Sequence, residues 1–354
     1  MKYAFVLGAG ASASCGAPLQ GALFKEYFKI RQPGHLPYER KLERELATFF
    51  NEFFRIDVNH GDLNSALFPT FEEVLGVLDL AILRNEALPN FGRENATFNS
   101  ENRIRKCREY VVSLMASILY DKLNTVANNH KRLIYKLKRL NILDRTIFIS
   151  LNYDLLIDNA LSKELNQECI LPDYGFDYVS DIKCVSKINP LYKIHGSLNW
   201  LYCSTCNEIK LTPFEKGVIE LIRPEIFYEP NNIICARCHN LREQIIVPPT
   251  YYKDFSNYYL NQVWFKAERD LKEVDTIFFC GYSFPDADIH IKYLMKRIQT
   301  IRNRSLKIIV ANNHDGKKDA ERTEELIRYK RFLVNVNYTD ESFDSLINNI
   351  GNYI

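Results

Sequence analysis

The chain has 354 residues, 46% hydrophobic and 25% charged, the make-up of a folded globular protein with ample material for a core, which excludes a disordered or fibrous chain. Lys plus Arg number 46 against 44 Asp plus Glu, a formal net charge of +2, so charge makes no case for a polyanionic partner and any nucleic-acid contact is expected to be indirect. No apolar run of about 18 residues is present, and the start passes directly into KYAFVLG without a charged segment and cleavage site, so a cytoplasmic protein with no membrane segment is expected.

Lys2 to Leu7 is an apolar run of strand length ending at Gly8, the signature of a buried parallel strand. Gly8, Gly10 and Ala13 then fit G-x-G-x-x-G/A, and Gly16-Ala17-Pro18 opens a helical pattern with Pro18 suited to a first turn. Glycines in this place let backbone N–H groups approach a pyrophosphate at a helix N-terminus, although any tight strand-to-helix turn can require them. A dehydrogenase would carry an acidic residue at the end of a second strand about 20 residues on. Here Glu26 lies inside a helical pattern, which argues against hydride transfer. Residues 21–140 read as helical almost throughout: Leu42, Leu46, Phe49, Phe50 and Phe53 form an apolar stripe, and Thr70 with Glu73 makes a capping box ahead of Val74, Leu75, Val77 and Leu78. A polar stretch, 89–102, interrupts this block. Without a clear strand, it reads as a helical insertion in an α/β core formed by 1–20 and 141–354.

The α/β rhythm resumes at Arg145 to Leu151, followed by Asn152-Tyr153-Asp154 and the helical LLIDNALSKEL. Polar residues at a strand end face the ligand crevice of a doubly wound fold, and they also serve as helix caps. Tyr192 to His195 reads as a buried strand that delivers a titratable ring onto a Gly-Ser turn, the plain alternative being a histidine satisfied by backbone. Cys203 and Cys206, then Cys235 and Cys238, are two Cys-x-x-Cys pairs with 28 residues between them, spacing that lets four thiolates close around zinc and makes 200–242 a small zinc ribbon within the core. Cys15, Cys107, Cys169, Cys184 and Cys280 read as small core residues, without a disulfide framework. Then come the strand-like QIIVPP, a helix through Trp264 and Leu271, the strand Thr276 to Cys280 leading into GYSFPDADIH, the strand Leu306 to Ala311 ending at Asn312, a helix from Ala320 to Tyr329, a strand near Phe332 to Val336 and a closing helix. The expected fold is α/β, a doubly wound parallel, Rossmann-like sheet with a large helical insertion and a small zinc-ribbon module.

Taken in order, these motifs resemble the sirtuin family, and more closely its prokaryotic branch of sirtuin-like NAD-consuming proteins. The resemblance runs from Tyr3 to about Pro18 and from Arg145 to Asn313. The family's GAG-x-S loop and later G-x-P look like Gly8 to Ser12 and Gly16-Ala17-Pro18. Its Q-N-x-D element looks like Leu151 to Asp154, its H-G motif like His195-Gly196 followed by the cysteine pairs, its G-x-S turn like Gly281-Tyr282-Ser283, and its I-N turn like Ala311-Asn312. The resemblance implies NAD held by Gly8, Ala9, Gly10, Ser12, Pro18, Gly281, Ser283 and Asn312, catalysis by Asn152, His195 and Asp154, and structural zinc on Cys203, Cys206, Cys235 and Cys238. Three departures stand out: Leu19-Gln20-Gly21 replaces the Asp-Phe-Arg of deacetylating members, Leu151 replaces Gln, and Pro248-Pro249-Thr250-Tyr251 replaces a Phe-Gly-Glu segment. They turn the expectation from an acyl-lysine tunnel toward hydrolysis of NAD to nicotinamide and ADP-ribose. The resemblance further implies a regulated, homo-oligomeric effector of antiviral defence that works with a separate ATPase or translocase, since no G-x-x-x-x-G-K-[ST] is present here. The alternatives are an NAD-dependent protein deacylase or ADP-ribosyltransferase, and a non-catalytic sensor of NAD or ADP-ribose.

Overall fold

The structure, a computed structural model, describes residues 1–19, 21–30, 37–86, 100–123, 128–165, 168–180, 183–212, 234–248, 257–313 and 319–354. These divide into two compact units, one drawn from 1–17, 125–217 and 229–354 and the other from 18–124. The strands, all in the first unit, are β1 (Tyr3–Leu7), β2 (Thr146–Ser150), β3 (Lys163–Leu165), β4 (Glu168–Asp173), β5 (Val179–Ser180), β6 (Lys183–Lys193), β7 (Gly196–Cys203), β8 (Glu208–Leu211), β9 (Glu243–Ile246), β10 (Thr276–Cys280), β11 (Lys307–Ala311) and β12 (Val336–Thr339). The helices are α1 (Ala9–Ala13), then α2 (Leu23–Ile30), α3 (Pro37–Phe54), α4 (Phe71–Arg84) and α5 (Ser100–Leu123) of the second unit. The first unit resumes with α6 (Asn129–Arg139), α7 (Leu156–Leu161), α8 (Tyr258–Leu271), α9 (Ile289–Ile301), α10 (Asp319–Phe332) and α11 (Phe343–Asn349).

β1, β2, β10 and β11 are apolar on both faces because both faces are covered, as parallel sheets require. The sheet order is β12-β11-β10-β1-β2-β6-β4-β3; the first seven of these run parallel and β3 alone is antiparallel, to β4. The doubly wound expectation therefore holds. Register places Phe5 opposite both Phe278 and Phe148, and its ring stacks on them at centroid distances of 4.7 and 6.0 Å, which locks the centre of the sheet. From β1 the chain steps one way to β2, while β10, β11 and β12 extend the other way, so the topological switch lies between β1 and β10. Ligands of such sheets bind beyond the carboxyl ends of the strands at that switch.

At the switch the two strand-to-helix turns rest directly on each other. The Gly8 amide donates to Cys280 O at 3.0 Å and the Gly10 amide to Gly281 O at 2.8 Å. A Cβ on Gly8 would stand 2.6 Å from Gly281 O, and one on Gly281, at φ +62°, would stand 2.1 Å from Ala11 N. These glycines are required by backbone-on-backbone packing, whatever else the turns hold.

Elsewhere the structure corrects local expectations. The helix after Asp154 stops at Leu161, because Ser162 turns extended and Lys163–Leu165 pairs with β4. α10 continues through Phe332, and the last strand waits until Val336, after Asn335 has taken φ +57°. The sequence pattern gives no signal for β4 or the outer part of β6, where charged and apolar residues mix. His195 is not on a strand: β6 ends at Lys193, and Ile194 and His195 make the turn into β7.

In the second unit Leu46, Phe49 and Phe50 are buried as the stripe predicts, while the side chain of Leu42 lies outside the described residues. Phe24 meets Phe50 edge-on at 4.8 Å. The capping box closes as expected, Thr70 N donating to Glu73 Oε2 at 2.7 Å and Glu73 N to Thr70 Oγ1 at 3.2 Å. Of the polar stretch, 89–99 falls outside the described residues, and Ser100 already begins α5. No described helix is long and apolar enough to cross a membrane.

Gly281→Ala is expected to destabilise the protein by about 2–4 kcal/mol, from the left-handed backbone and the forced separation of the two turns. Urea unfolding checks this, and a midpoint equal to that of wild type would refute the packing argument.

Candidate active site

The loop after β2 carries the first cluster. Asn152 Nδ2 donates to Gly8 O and to Ser12 Oγ, both at 2.9 Å, and Ser12 Oγ donates to Asp154 Oδ2 at 2.6 Å. Asp154 Oδ1 accepts the Leu156 amide at 3.0 Å. Asp154 thus does what a helix-starting aspartate does and also ties the β2 loop to α1. Asn152 is half-buried, whereas Ser12 and Asp154 are buried. Gly8, Gly10, Ser12, Asn152, Asp154 and Gly281 therefore converge at the switch point, as the motifs require if they act together.

Beneath this loop lies a set of buried polar groups that the sequence reading does not name. Lys193 Nζ donates to Asp154 O and pairs with Asp158 Oδ2 at 3.0 Å, the two side chains being 0% and 3% exposed. Tyr174 OH donates to Asp158 Oδ1 at 2.6 Å, Asn199 Nδ2 reaches Tyr174 OH at 3.5 Å, and Ser197 Oγ donates to Asn199 Oδ1 at 2.6 Å. Burial, and then the Asp158 charge, push the Tyr174 hydroxyl well above its ordinary value, so it stays protonated and donates. The one sequence signal was a lysine inside the otherwise apolar LYKIH run, since a lysine is rarely fully buried unless paired. Behind α1, His130 Nδ1 lies 3.6 Å from Cys15 Sγ, and burial holds the imidazole neutral with its pKa lowered to about 4.

His195 belongs to a second cluster. Its side chain is buried, its carbonyl accepts the Val247 amide at 2.9 Å, and its Nε2 lies 3.4 Å from Asp288 Oδ2. Tyr282 OH donates to the same Asp288 oxygen at 2.8 Å. Tyr282 is the middle residue of Gly281-Tyr282-Ser283, so this turn serves the glycine packing on one side and reaches the histidine's partner on the other. Ser283 is exposed. Asn312 Nδ2 donates to Tyr282 O at 2.8 Å and to buried Glu325 Oε1, which also accepts from Tyr338 OH at 3.0 Å. Asn312 therefore braces the Gly281 turn from behind. Pro18 falls in the other unit.

The four predicted metal ligands come together. Cys203 and Cys206 flank the β7–β8 turn, and Cys235 and Cys238 lie in the turn closed by the Ile234–Leu241 bridge. All four sulfurs lie within 4.8 Å of one another, with Cys203–Cys238 at 3.4 Å and Cys206–Cys235 at 3.8 Å. A tetrahedral zinc–thiolate centre puts its sulfurs about 3.8 Å apart, so the donor set fits zinc in type and spacing. Amides of Cys238 and Arg237 lower the Cys235 thiol to about 6, and Arg242 Nη2 donates to its sulfur at 3.6 Å, both favouring thiolate. Among the described residues this is the one cluster of such ligands. The described residues include Pro248, whereas Pro249, Thr250 and Tyr251, where the sequence departs from a deacylase pattern, lie outside them, as does Gln20.

A family model described as a SIR2-like domain matches residues 146–334, more than half of the chain. No curated protein matches the sequence. Similar solved structures include one described as "The Structural basis for Sirtuin Substrate affinity", 12% identical, covering 99% of this chain and 92% of that one at a TM-score of 0.41. Another is a Sir2–p53 peptide–NAD+ complex, 12% identical with coverages of 99% and 92% and a TM-score of 0.40. At this level of likeness the fold assignment rests on strand order and register.

Lys193→Met strands the buried Asp158 carboxylate and is expected to cost about 3–5 kcal/mol, with Lys193→Met/Asp158→Asn recovering part of the loss. Chemical denaturation of the three proteins decides it; a single variant as stable as wild type would remove the pair from the account.

Proposed function

The chain belongs to the SIR2-like domain family, and from that premise we propose that it is an NAD+ hydrolase, cleaving the nicotinamide–ribose bond to give nicotinamide and ADP-ribose. The observation that carries this reading is the convergence of Asn152, Ser12 and Asp154 on the Gly8–Gly10 turn at the switch of a doubly wound sheet, where such folds take a dinucleotide. The helix after Gly8 has only five residues, so in this reading phosphate binding draws on the open crevice beside the turn rather than on a long helix dipole.

Breaking the bond builds positive charge on the ribose, an oxocarbenium-like state akin to that of glycoside hydrolysis. In this reading Asn152 orients the ribose or the attacking water through its amide. Asp154 fixes Ser12 and holds the carboxamide. His195 takes a proton from a ribose hydroxyl or from water. Gly281, Ser283 and Asn312 complete the NAD contacts that the family resemblance assigns within this unit. Zinc on Cys203, Cys206, Cys235 and Cys238 would hold the ribbon together. As a regulated, oligomeric, cytoplasmic effector that depletes NAD in antiviral defence, the protein would act with a separate ATPase or translocase.

Purified protein is expected to release nicotinamide from NAD without an acyl-lysine peptide. Asn152→Ala and His195→Ala should lose at least about 100-fold in rate while remaining folded. A strict requirement for acyl-lysine would identify a deacylase, and NAD binding without turnover a sensor. Inertness toward NAD, alone and with the neighbouring gene products, would sink the reading. Elemental analysis should find about one zinc per chain, retained in His195→Ala and lost in Cys206→Ser/Cys238→Ser; a metal-free wild type would refute the zinc assignment.

A further inference from the structure

We propose that Lys193 is a positioning residue for the loop after β2: by holding the Asp154 carbonyl it keeps Asn152 seated on the Gly8 turn, and so sets the rate of bond cleavage more than the affinity for NAD. This deepens the hydrolase reading and rests on it. The motif resemblance assigns nothing to Lys193, which closes β6 opposite Ser150, the last residue of β2. From there its Nζ crosses to the Asp154 carbonyl and to Asp158 Oδ2, the latter at 3.0 Å.

Each backbone carbonyl of the loop is held by a different neighbour. Ser150 Oγ donates to Asn152 O and accepts the Asn152 amide, both at 3.2 Å. The Leu198 amide, on β7, donates to Tyr153 O at 3.2 Å. Lys193 is the donor that fixes Asp154 O. The orientation of the Asn152 side chain is dictated as well: Gly8 O can only accept, so Nδ2 faces it, and among the described residues Oδ1 has no partner and is left for substrate. A shift of the Asp154 carbonyl would move Asn152, two residues earlier, and also Ser12, which donates to the Asp154 carboxylate. The anchor itself is fixed. Asp158 Oδ1 accepts from Tyr174 OH at 2.6 Å, and Tyr174 OH accepts from Asn199 Nδ2 on β7 at 3.5 Å. Asp158 is the counterion that lets the ammonium stay buried. Stability does not account for the choice of a lysine, since an apolar pair of the same size serves a buried site as well or better. What an apolar side chain lacks is a donor for the Asp154 carbonyl, and misplacing a positioned group by about 1 Å costs about 100-fold in rate.

The test measures stability and steady-state nicotinamide release in full-length wild type, Lys193→Met, Asp158→Asn and Lys193→Met/Asp158→Asn. The double variant carries no stranded charge and should be more stable than either single one. Its kcat is nonetheless expected to fall about 100-fold, with KM within about 2-fold of wild type. Asp158→Asn keeps the lysine on the Asp154 carbonyl and should lose less than about 10-fold, although it is less stable than the double variant. The side-chain amide of Asn152, followed with 15N-asparagine, should shift in both variants that lack Lys193. Should a single variant fail to fold, the double variant and this amide carry the test. Rates that follow stability across the three variants, a loss confined to KM, or an unmoved Asn152 amide overturn the proposal. Wild-type protein that leaves NAD intact removes the hydrolase reading, while the Asn152 amide still decides whether Lys193 positions the loop.

Discussion

The rest of the core depends on two strand-to-helix turns meeting with no side chain between them. β1 and β10 are neighbours in register along their whole length, so the segments that leave them emerge side by side and must cross within a few ångströms. The Gly10 amide on Gly281 O and the Gly8 amide on Cys280 O close that crossing. From it follow the position of Ser12 one helical turn later, hence the anchor for Asn152 and Asp154, and on the other side the direction in which Tyr282 points. The same close approach that removes side chains also leaves the backbone uncovered at the mouth of the sheet. Glycine demanded by packing and glycine suited to a phosphate are thus one arrangement here, which is why a glycine motif alone does not separate the two.

That ambiguity explains what the sequence made legible and what it did not. The apolar runs of β1, β2, β10 and β11 announced a parallel sheet, because a strand covered on both faces has no polar alternation to hide it. The cysteine pairs were legible from spacing alone, since four thiolates around one ion leave few other uses. β4 and the outer part of β6 escaped because their mixed composition matches neither period, and Lys163–Leu165 escaped because three residues are too few to show one. In the candidate site, Asn152, Asp154 and His195 were found as polar residues at the ends of apolar runs. Asp288, Lys193 and Asp158 were not, since each is defined by a partner distant in sequence: 93 residues separate His195 from Asp288 and 35 separate Asp158 from Lys193.

Two buried pairs of titratable groups lie near the site. Lys193 and Asp158 are enclosed together and satisfied by Tyr174 and the Asp154 carbonyl, so the pair acts as a strut under the loop that presents Asn152. A pair of this kind contributes little net stability over an apolar pair of the same size, and its role is to fix one geometry. His195 and Asp288 are likewise enclosed, with Nε2 standing 3.4 Å from Oδ2.

The ribbon bears on the site through two paired strands, β7 and β9. β7 begins at Gly196, immediately after His195, and ends at Cys203, a metal-fitting cysteine. β9 crosses its start so closely that a Cβ on Gly196, at φ +86°, would lie 1.9 Å from Ile245 O, and the residue after β9, Val247, donates its amide to His195 O. The histidine is therefore clamped from the backbone side by the two strands whose opposite ends lead to the four sulfurs. The two ends of the clamp differ in what a substitution there removes. Loss of the ring at position 195 removes no backbone hydrogen bond and leaves the sulfurs where they are, whereas loosening the sulfurs frees the ends of β7 and β9 and with them the turn that aims His195 at Asp288.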